Sequence, residues 1–450
     1  MINSQNLIDK ICAKITGGGL TALQTCQMNG ALQVLCSPVC SVATCTNLPS
    51  ATDNVGRMIY AHAENRYYYA FDGFWLNDFQ STIYNYKDTV WSWGCNNPGT
   101  LGDNTSINRS SPVSVVGGNG NWCQASAGTT HSVAIGSSGN AWAWGNGALG
   151  RLGDNTTTDK SSPVSVVGGF TDWCQTSAGG FHSVALRTGG SAWAWGCNNQ
   201  GRLGDNTAVD RSSPVSVVGG FTDWCQVSAG DSHTLAVRTG GTAWAWGYNG
   251  SRLGDNTTTN RSSPVSVVGG FTDWCQISAG GAHSLAVRIS GSAWAWGVNN
   301  TGRLGDNTSV NKSSPVSVVG GFTDWCQVSA GGFTGAHSLA VRTNGSAWGW
   351  GANTNGRVGD NTITVRSSPV SVVGGFTDWC QISAGNGHSV AVRTSGNAQA
   401  WGTNNCGQLG DSTATARSSP VSVVGGFTDW CNVSAGSVHT LGMRQEVKGF

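Results

Sequence analysis

The stretch WCQVSAGDSHTLAVRTGGTAWAWGYNGSRLGDNTTTNRSSPVSVVGGFTD, residues 224–273, decides the fold because close copies of it recur along most of the chain. Its Trp-Cys pair returns at intervals of 50 to 54 residues, at Cys123, Cys174, Cys225, Cys275, Cys326, Cys380 and Cys431. Within each copy, short runs such as Ala-Trp-Ala-Trp-Gly have the period of two that is typical of strands, and Gly-Gly, Gly-Asp-Asn and Ser-Ser-Pro turns separate them. Units of this length with about four strands are typical of propeller blades, so the repeats predict seven blades.

The two ends of the repeat array are incomplete in complementary ways. The first copy begins with VWSWG, residues 90–94, and lacks a preceding SAG-x-x-His strand. The last copy supplies that part as WCNVSAGSVHTLGMR, residues 430–444, and no WAWG segment follows. We therefore expect the ends to share one blade, which removes exposed sheet edges. The predicted fold class is all-β: a seven-bladed β-propeller closed by a shared blade and preceded by a small α+β N-terminal region.

The repeat resembles that of the regulator of chromosome condensation family. The motif is His-Ser-Leu-Ala-Val at residues 283–287, followed by Trp-Gly-Val-Asn at 296–299 and Gly-Arg-Leu-Gly-Asp at 302–306. The resemblance covers residues 90–444 and implies a seven-bladed propeller with shared-blade closure. It implies binding rather than one chemistry, because the family includes a nuclear exchange factor for a small GTPase, a plant ultraviolet receptor and a bacterial β-lactamase inhibitor.

Composition narrows the classes of function. Only 10% of the residues are charged and the formal net charge is +1, which argues against broad electrostatic capture of nucleic acid or an anionic membrane. No apolar run is long enough to span a bilayer, and the N-terminus lacks the pattern of a secretion signal. The odd number of cysteines, 15, without a secretion route favours reduced thiols. For Cys12, Cys26, Cys36, Cys40 and Cys45 the redox state stays open.

Most of the repeated residues are predicted to be structural. Twenty of the 21 tryptophans occupy repeat positions, and we expect a core rather than a light sensor. The Trp-Cys cysteines alternate in phase with Val227 and Ala229, so we expect them to be small buried hydrophobes. One histidine per copy recurs with near-identical neighbours, which favours structural hydrogen bonds over a catalytic Cys-His pair in a unique pocket. The sequence predicts no catalytic residue, no metal site and no cofactor.

Two surface features are candidates for receptor or partner binding. A cation precedes each Ser-Ser-Pro; we expect it to pair with a nearby acid, and the alternative is a basic rim for a polyanionic glycan. These cations are Arg109, Lys160, Arg211, Arg261, Lys312, Arg366 and Arg417. The second feature is a three-residue insertion between Ala330 and His337, which projects Phe333 and Thr334 beyond the rim. An exposed aromatic residue between glycines is a candidate anchor, and a duplication without function is the alternative.

The N-terminal 89 residues are predicted to carry assembly. Residues 1–47 are interpreted as a short helical attachment segment with an apolar stripe of Leu7, Ile8, Ile11 and Ile15. Residues 48–89 are interpreted as a small aromatic β module around an Asp-Gly turn, with Tyr67, Tyr68, Tyr69, Phe71, Phe74 and Trp75. These apolar side chains exceed what so short a segment buries alone, so we expect oligomerisation or docking. The aromatic pattern resembles short modules of bacteriophage tail and fibre proteins.

Together these features predict a virion structural protein, a tail fibre or other phage surface protein made in the host cytoplasm. It would bind other virion proteins through residues 1–89 and a host-surface glycan or protein through a propeller of residues 90–450. We expect it to be oligomeric in an assembly, to bind no nucleic acid and to insert into no membrane. The alternative is a guanine-nucleotide-exchange-type or other protein-binding propeller in a cell. An enzyme is not expected, because a polysaccharide-degrading site would need a unique acidic cleft and only Glu64 and Glu446 are glutamates.

Overall fold

The computed structural model describes residues 40–42, 58–61, 66–71, 74–76, 86–117, 121–332 and 336–447. The chain divides into two compact units, residues 1–87 with 447–450 and residues 88–446. No helix within the described ranges is both long enough and apolar enough to cross a membrane. The helical stripe predicted from Leu7 to Ile15 lies outside the described residues.

The first unit contains one four-stranded sheet, in the order β1-β2-β3-β4. The strands are β1 (Cys40–Val42), β2 (Met58–Ala61), β3 (Arg66–Phe71) and β4 (Phe74–Leu76). β1 pairs parallel with β2, and the other pairs are antiparallel. β1 lies within residues 1–47, for which the sequence predicts a short helical segment; the other residues of that segment lie outside the described ranges, and the prediction for them stays a prediction.

The second unit is a ring of seven four-stranded sheets, which confirms the seven-bladed propeller. Blades 1 to 3 comprise β7 (Trp122–Ala127), β8 (His131–Gly136), β9 (Ala141–Gly145), β10 (Lys160–Ser165), β11 (Trp173–Ala178), β12 (His182–Arg187), β13 (Ala192–Gly196), β14 (Arg211–Ser216), β15 (Trp224–Ala229), β16 (His233–Arg238), β17 (Ala243–Gly247) and β18 (Arg261–Ser266). Blades 4 to 6 comprise β19 (Trp274–Ala279), β20 (His283–Arg288), β21 (Ala293–Gly297), β22 (Lys312–Ser317), β23 (Trp325–Ala330), β24 (His337–Arg342), β25 (Ala347–Gly351), β26 (Arg366–Ser371), β27 (Trp379–Ala384), β28 (His388–Arg393), β29 (Ala398–Gly402) and β30 (Arg417–Ser422). Single 3₁₀ turns lie at Ala148–Gly150 and Thr354–Gly356.

Blade 7 is built from both ends of the propeller, as the sequence predicts. Its sheet order is β31-β32-β5-β6, from β31 (Trp430–Ala435), β32 (His439–Val447), β5 (Tyr86–Gly94) and β6 (Arg109–Ser114). The C-terminal pair thus supplies the two inner strands and the N-terminal pair the two outer strands.

Each blade is an antiparallel meander, so its connections alternate between two ends of the sheet. The connections from first to second strand and from third to fourth strand lie on one side of the ring, which we call the long-loop face. The short turns from second to third strand, and the links to the next blade, lie on the other side, the short-loop face. The fourth strand, Arg/Lys-Ser-Ser-Pro-Val-Ser, is an outer edge, where a proline costs no ladder hydrogen bond.

The core lies between adjacent blades and consists largely of the repeated tryptophans, as predicted. The second tryptophan of each Trp-x-Trp is fully buried, for example Trp246, which packs with Trp224 of its own blade and with Val184 and Leu186 of the preceding blade. The first tryptophan, such as Trp244, is partly buried at the rim of the same cluster. Aromatic rings therefore bridge every blade to the next.

Two circles of hydrogen bonds also join the blades. On the inner strands, each Trp-Cys-Gln-x-Ser serine accepts from a backbone N–H of the next blade, as Ser177 does from Ala229, and Ser434 closes the circle with Ala127 at 3.0 Å. On the outside, the residue after each Gly-Asp donates its N–H to a serine carbonyl of the next blade. This second circle closes where Ser412 donates to Ser110 at 2.8 Å.

The Trp-Cys cysteines are not buried as predicted. Cys174, Cys225, Cys380 and Cys431 are exposed, and Cys123, Cys275 and Cys326 are partly exposed. In each blade a β-bulge lies at the cysteine, between Trp224 and Gln226 in blade 3, so alternation does not carry across it. Val227 and Ala229 are buried while Cys225 is not.

Candidate functional site

The seven repeated histidines form a buried circle beneath the long-loop face. Each Nε2 lies 2.7–2.9 Å from a serine or threonine hydroxyl of the next blade, and His439 closes the circle on Ser132. The partner hydroxyl donates its only proton to a backbone carbonyl, as Ser183 does to Arg151, so Nε2–H must be the donor. The predicted structural role is therefore confirmed: these imidazoles hydrogen-bond to the next blade and hold the blades together.

Burial lowers the pKa of these histidines far below the usual value. Desolvation is the largest cause, and it brings the pKa of His233 and His388 to about 3 and that of His439 to about 4. For His131, His182 and His283 desolvation and nearby arginines act in the same direction. A side chain that stays neutral and hydrogen-bonded at neutral pH is unsuited to general acid catalysis.

Two of the Trp-Cys thiols have a raised pKa although part of each side chain is exposed. Partial desolvation of the sulfur raises the pKa of Cys174, and desolvation together with Asp88 raises that of Cys431 to about 12. The Cys225 thiol donates to the Val237 carbonyl at 3.4 Å. Because the thiolate is the nucleophile, a raised pKa disfavours nucleophilic attack by Cys174 and Cys431 near neutral pH. Throughout the described residues, no three His, Cys, Asp or Glu side chains cluster as metal ligands would.

The predicted basic rim is largely neutralised by the aspartates of its own loops. Six of the seven cations form ion pairs, at distances from 2.7 Å for Arg366–Asp360 to 3.7 Å for Lys160–Asp154. Desolvation raises the pKa of Asp205, but hydrogen bonds from Thr207, Asn198 and Arg211 outweigh it and lower the pKa. The local pairing that the sequence predicts is present, and it leaves little free charge for a polyanion.

On the short-loop face, arginine side chains stack on the repeated phenylalanine rings and cover them. In six blades an arginine lies over a phenylalanine ring, at 4.4 Å for Arg238 over Phe221, and also pairs with an aspartate, at 2.8 Å for Asp223. The phenylalanines are Phe170, Phe221, Phe271, Phe322, Phe376 and Phe427. Each apolar ring is thus covered by a cation that is itself neutralised.

The long-loop face is different, because it carries all the exposed large apolar side chains of the described residues. They are Ile107, Leu149, Phe181, Val209, Val310, Ile363 and Val365. Only Phe181 lies in a connection from first to second strand, which places it beside the inner strands and close to the ring axis. The face therefore combines an apolar periphery with one aromatic residue near its centre.

Phe181 is flanked by two buried arginines. Its ring centroid lies 5.1 Å from the Arg151 guanidinium and 5.8 Å from that of Arg202, and these arginines are only 5% and 3% exposed. Arg151 also donates to the Ala148 carbonyl of the 3₁₀ turn that carries Leu149. The guanidinium of Arg151 is thus held between the Phe181 ring and the turn that carries Leu149, and Phe181 and Leu149 are each 41% exposed.

Phe181 was missed by the sequence predictions, although the repeat contains the signal. Its equivalents immediately before the repeated histidine are Thr130, Ser232, Ala282, Ala336, Gly387 and Val438, none of them aromatic. Phe333 and Thr334, the predicted anchor, lie outside the described residues. So do the side chains of the predicted assembly residues from Tyr67 to Trp75.

The prediction of reduced thiols is wrong at one place. Cys95 and Cys406 are joined in a disulfide between the third strand of blade 7 and a long loop of blade 6. A fold in which chain ends meet brings together cysteines 311 positions apart, which composition does not reveal.

These observations define a closed seven-bladed propeller whose repeated histidines join neighbouring blades and whose exposed large apolar side chains, among the described residues, lie on one face. The family model described as the RCC1-like domain matches residues 76–380 and, in an overlapping alignment, residues 141–449. The chain belongs to this family, that of the regulator of chromosome condensation. The predicted resemblance is therefore confirmed for the propeller.

Several characterised proteins are similar to this chain. The ultraviolet-B receptor UVR8 of Arabidopsis thaliana is 30% identical over 344 residues, covering 74% of this chain and 77% of the receptor. The human E3 ubiquitin-protein ligase HERC2 is 27% identical over 315 residues, which are 68% of this chain but 5% of the ligase. The human regulator of chromosome condensation is 38% identical over 104 residues, 23% of this chain and 25% of that protein.

Solved structures share the fold at lower identity. Prp20p from Saccharomyces cerevisiae has a TM-score of 0.72 and 20% identity, with coverage of 80% of this chain and 92% of Prp20p. Human WBSCR16 has a TM-score of 0.71 and 19% identity, with coverage of 80% and 100%. At this identity the likeness shows the architecture alone.

Proposed function

We propose that this chain is a protein-binding propeller without enzymatic activity, and that it holds its partner on the long-loop face. The observation that carries the proposal is the distribution of exposed apolar side chains. All of those described lie on that face, whereas the phenylalanines opposite are covered by arginines. Apolar surface confined to one side of a protein is typical of an interaction site.

The centre of the proposed site is Phe181 with Arg151, Arg202 and Leu149. Aromatic and arginine side chains near the middle of an interface are the residues that most often dominate binding energy. Here the arginines are already held in place, Arg151 by Thr130 and Arg202 by Asn199 and Gln200, so little side-chain entropy is lost when a partner docks.

Relatives support a protein partner in a cell more than a virion role. The structure of Prp20p is described with its binding to Gsp1p and histones, and yeast RCC1 (Prp20) has been solved bound to Kap60. A nucleotide-exchange role is one form of the proposal, and the match to the regulator of chromosome condensation favours testing it. The virion assignment and its localisation rest on the aromatic pattern of residues 48–79 and stay predictions, as does a glycan partner.

The lack of catalysis is also part of the proposal. Two observations support it: the lowered pKa of the buried histidines, about 3 for His233, makes them weak bases, and the raised pKa of Cys431, about 12, leaves little thiolate near neutral pH. The aspartates of the long loops are occupied by hydrogen bonds within each loop, as Asp205 is by Thr207 and Asn198.

The test compares one substitution on each face. Proteins retained from an extract by the full chain are identified, and the dissociation constant of the purified partner is measured for wild type, Phe181→Ala and Thr239→Ala, the last in an exposed turn of the short-loop face. We expect Phe181→Ala to weaken binding at least about tenfold, as loss of a central aromatic anchor does, and to leave the melting temperature almost unchanged. Thr239→Ala should bind like wild type.

Nucleotide exchange is tested separately, by release of labelled GDP from a purified small GTPase. If the wild-type chain accelerates GDP release and Phe181→Ala abolishes that acceleration, the partner is a small GTPase. Weaker binding of Thr239→Ala with unchanged binding of Phe181→Ala would place the partner on the short-loop face and contradict the proposed site.

A further inference from the structure

The disulfide between Cys95 and Cys406 lies where the propeller is closed. Cys95 directly follows β5, the N-terminal strand of blade 7, and Cys406 lies in the long loop between β29 and β30 of blade 6. Their Cα atoms are 5.0 Å apart, inside the range of about 4.4–6.8 Å that disulfides need. Both cysteines are half-buried, so a small thiol or disulfide reagent can reach the bond.

We propose that this bond is a redox-dependent clasp that locks the closing blade of the ring. No peptide link joins β5 to β32, its neighbour in blade 7. Within blade 7, sheet pairing holds β5 to β32. Two hydrogen bonds join β5 and β6 to blade 6: Trp93 donates to the Gln408 carbonyl at 3.0 Å, and Ser110 accepts from Ser412. With the disulfide, β5 stays attached to blade 6 even when β32 detaches.

Comparison with an equivalent junction shows that the pair is special to the closure. At the junction of blades 1 and 2, the residues that correspond to Cys406 and Cys95 are Leu149 and Cys197. The two cysteines make equivalent backbone hydrogen bonds. Cys197 donates its N–H to the Phe181 carbonyl and Cys95 donates to the Val438 carbonyl, both at 2.9 Å. A cysteine is thus tolerated at this position elsewhere, but only the closure supplies its partner.

The long sequence separation of Cys95 and Cys406 increases the stabilisation expected from the disulfide. The two cysteines are 311 positions apart, and a cross-link that closes a longer loop restricts the unfolded chain more. The bond also closes residues 95–406, from β6 through β29, into a covalently continuous circle. Opening of the ring then requires more than local fraying of β32.

The chemistry is a two-electron exchange. Each thiol loses a proton, the two sulfurs form one bond, and the two electrons and two protons pass to a low-molecular-weight disulfide such as oxidised glutathione, which becomes two thiols. Excess thiol reverses the exchange. The ring is therefore clasped in an oxidising compartment and unclasped in a reducing one.

The test uses the full chain equilibrated with oxidised glutathione or with a phosphine reductant. Digestion without reductant and mass spectrometry should recover the Cys95 and Cys406 peptides joined. Oxidation should slow amide hydrogen exchange in β5 and β32 at least about tenfold. It should raise the melting temperature by about 5 °C or more, the size expected for so long a loop. In Cys95→Ser and Cys406→Ser both differences should vanish.

The matched control is Thr301→Cys with Ala352→Cys in the Cys95→Ser background, which places cysteines at the positions equivalent to Cys406 and Cys95 at the junction of blades 4 and 5, where the chain is continuous. A disulfide between them closes a much shorter loop and should leave exchange in β5 and β32 unchanged. The proposal is overturned if the control protects β5 and β32 as well as the native pair does. It is equally overturned if the oxidised wild type shows no joined peptides, or if oxidised and reduced wild type exchange alike in these strands.

Discussion

The five junctions between blades 1 and 6 differ from the two junctions that flank blade 7. Each of the five has an arginine in the Gly-Arg-Leu/Val-Gly-Asp position or its equivalent: Arg151, Arg202, Arg252, Arg303 and Arg357. Four of them donate to a carbonyl in the next blade, for example Arg202 to Asp231 at 3.1 Å. At the two flanking junctions the position is Gln408 and Thr100, whose side chains bond within their own loops.

Short contacts are the same at all seven junctions. The serine circle, the histidine circle and the outer backbone circle all cross into and out of blade 7. A glutamine on the first strand of a blade also accepts a hydrogen bond from a backbone N–H of the next blade, as Gln175 does from Val227; we call this the inner glutamine contact. At the junction of blades 7 and 1 the equivalent residue is Asn432, whose side chain is shorter. Among the described residues, no hydrogen bond joins Asn432 to Ala125. The arginines therefore reinforce only the five junctions away from blade 7, whereas the inner glutamine contact is present at the junction of blades 6 and 7, where Gln381 accepts from Val433, and is replaced by Asn432 at the junction of blades 7 and 1.

The largest expected effect comes from removing the inner half of blade 7. Deletion of residues 430–450 eliminates β31 and β32, and with them Trp430 and the contacts of Ser434 and His439 to blade 1. We expect loss of cooperative unfolding and aggregation, because Trp93 and the core of blade 6 become exposed. Light scattering and thermal unfolding measure both.

Deletion of residues 448–450 alone, which removes no part of β32, is the matched control and should behave like wild type. A monomeric 430–450 deletion with the wild-type melting temperature would show that the shared blade does not close the ring.

Acid should destabilise the propeller steeply. Because the pKa of each buried histidine is lower in the folded state than the usual 6.5, the unfolded chain binds more protons, and stability falls as pH drops below about 6.5. Each such histidine costs about 1.4 kcal/mol per pH unit, so the six together cost about 8 kcal/mol per unit, and for His233, His388 and His439 the cost continues down to folded-state pKa values of about 3 to 4. We expect unfolding near pH 5, measured by guanidinium titrations from pH 7 to 4.5. An unchanged unfolding free energy over that range would contradict the histidine circle.

The smallest expected effect is at the inner contact. Asn432→Gln should allow the side chain to accept from the Ala125 N–H, as Gln175 does from Val227, and raise the free energy of unfolding by about 1 kcal/mol. Gln226→Asn, which shortens the equivalent contact to Ile277, should lower it by a similar amount. Guanidinium midpoints at pH 7 measure both. If the two substitutions shift the midpoint in the same direction, the contact is not what separates these junctions.

The amino-acid sequence alone determined the architecture within and around the blades. The Trp-Cys interval specified seven units, and the complementary ends at residues 90 and 444 specified a shared blade, because each copy repeats the same strands and turns. Local chemistry was also readable: the cation six residues after each loop aspartate pairs with it in six of seven copies, since both belong to one loop.

Only the tertiary structure decided what lies between blades and what is exposed. The bulge at Cys225 turned a residue predicted as buried outward, because an inserted residue breaks the alternation that the prediction used. The partner of His439 is Ser132, and that of Cys95 is Cys406, each separated by about 300 residues. The period of a repeat describes one blade, whereas these pairings, and the exposure of Phe181 between two arginines, depend on how neighbouring blades meet once the ring has closed.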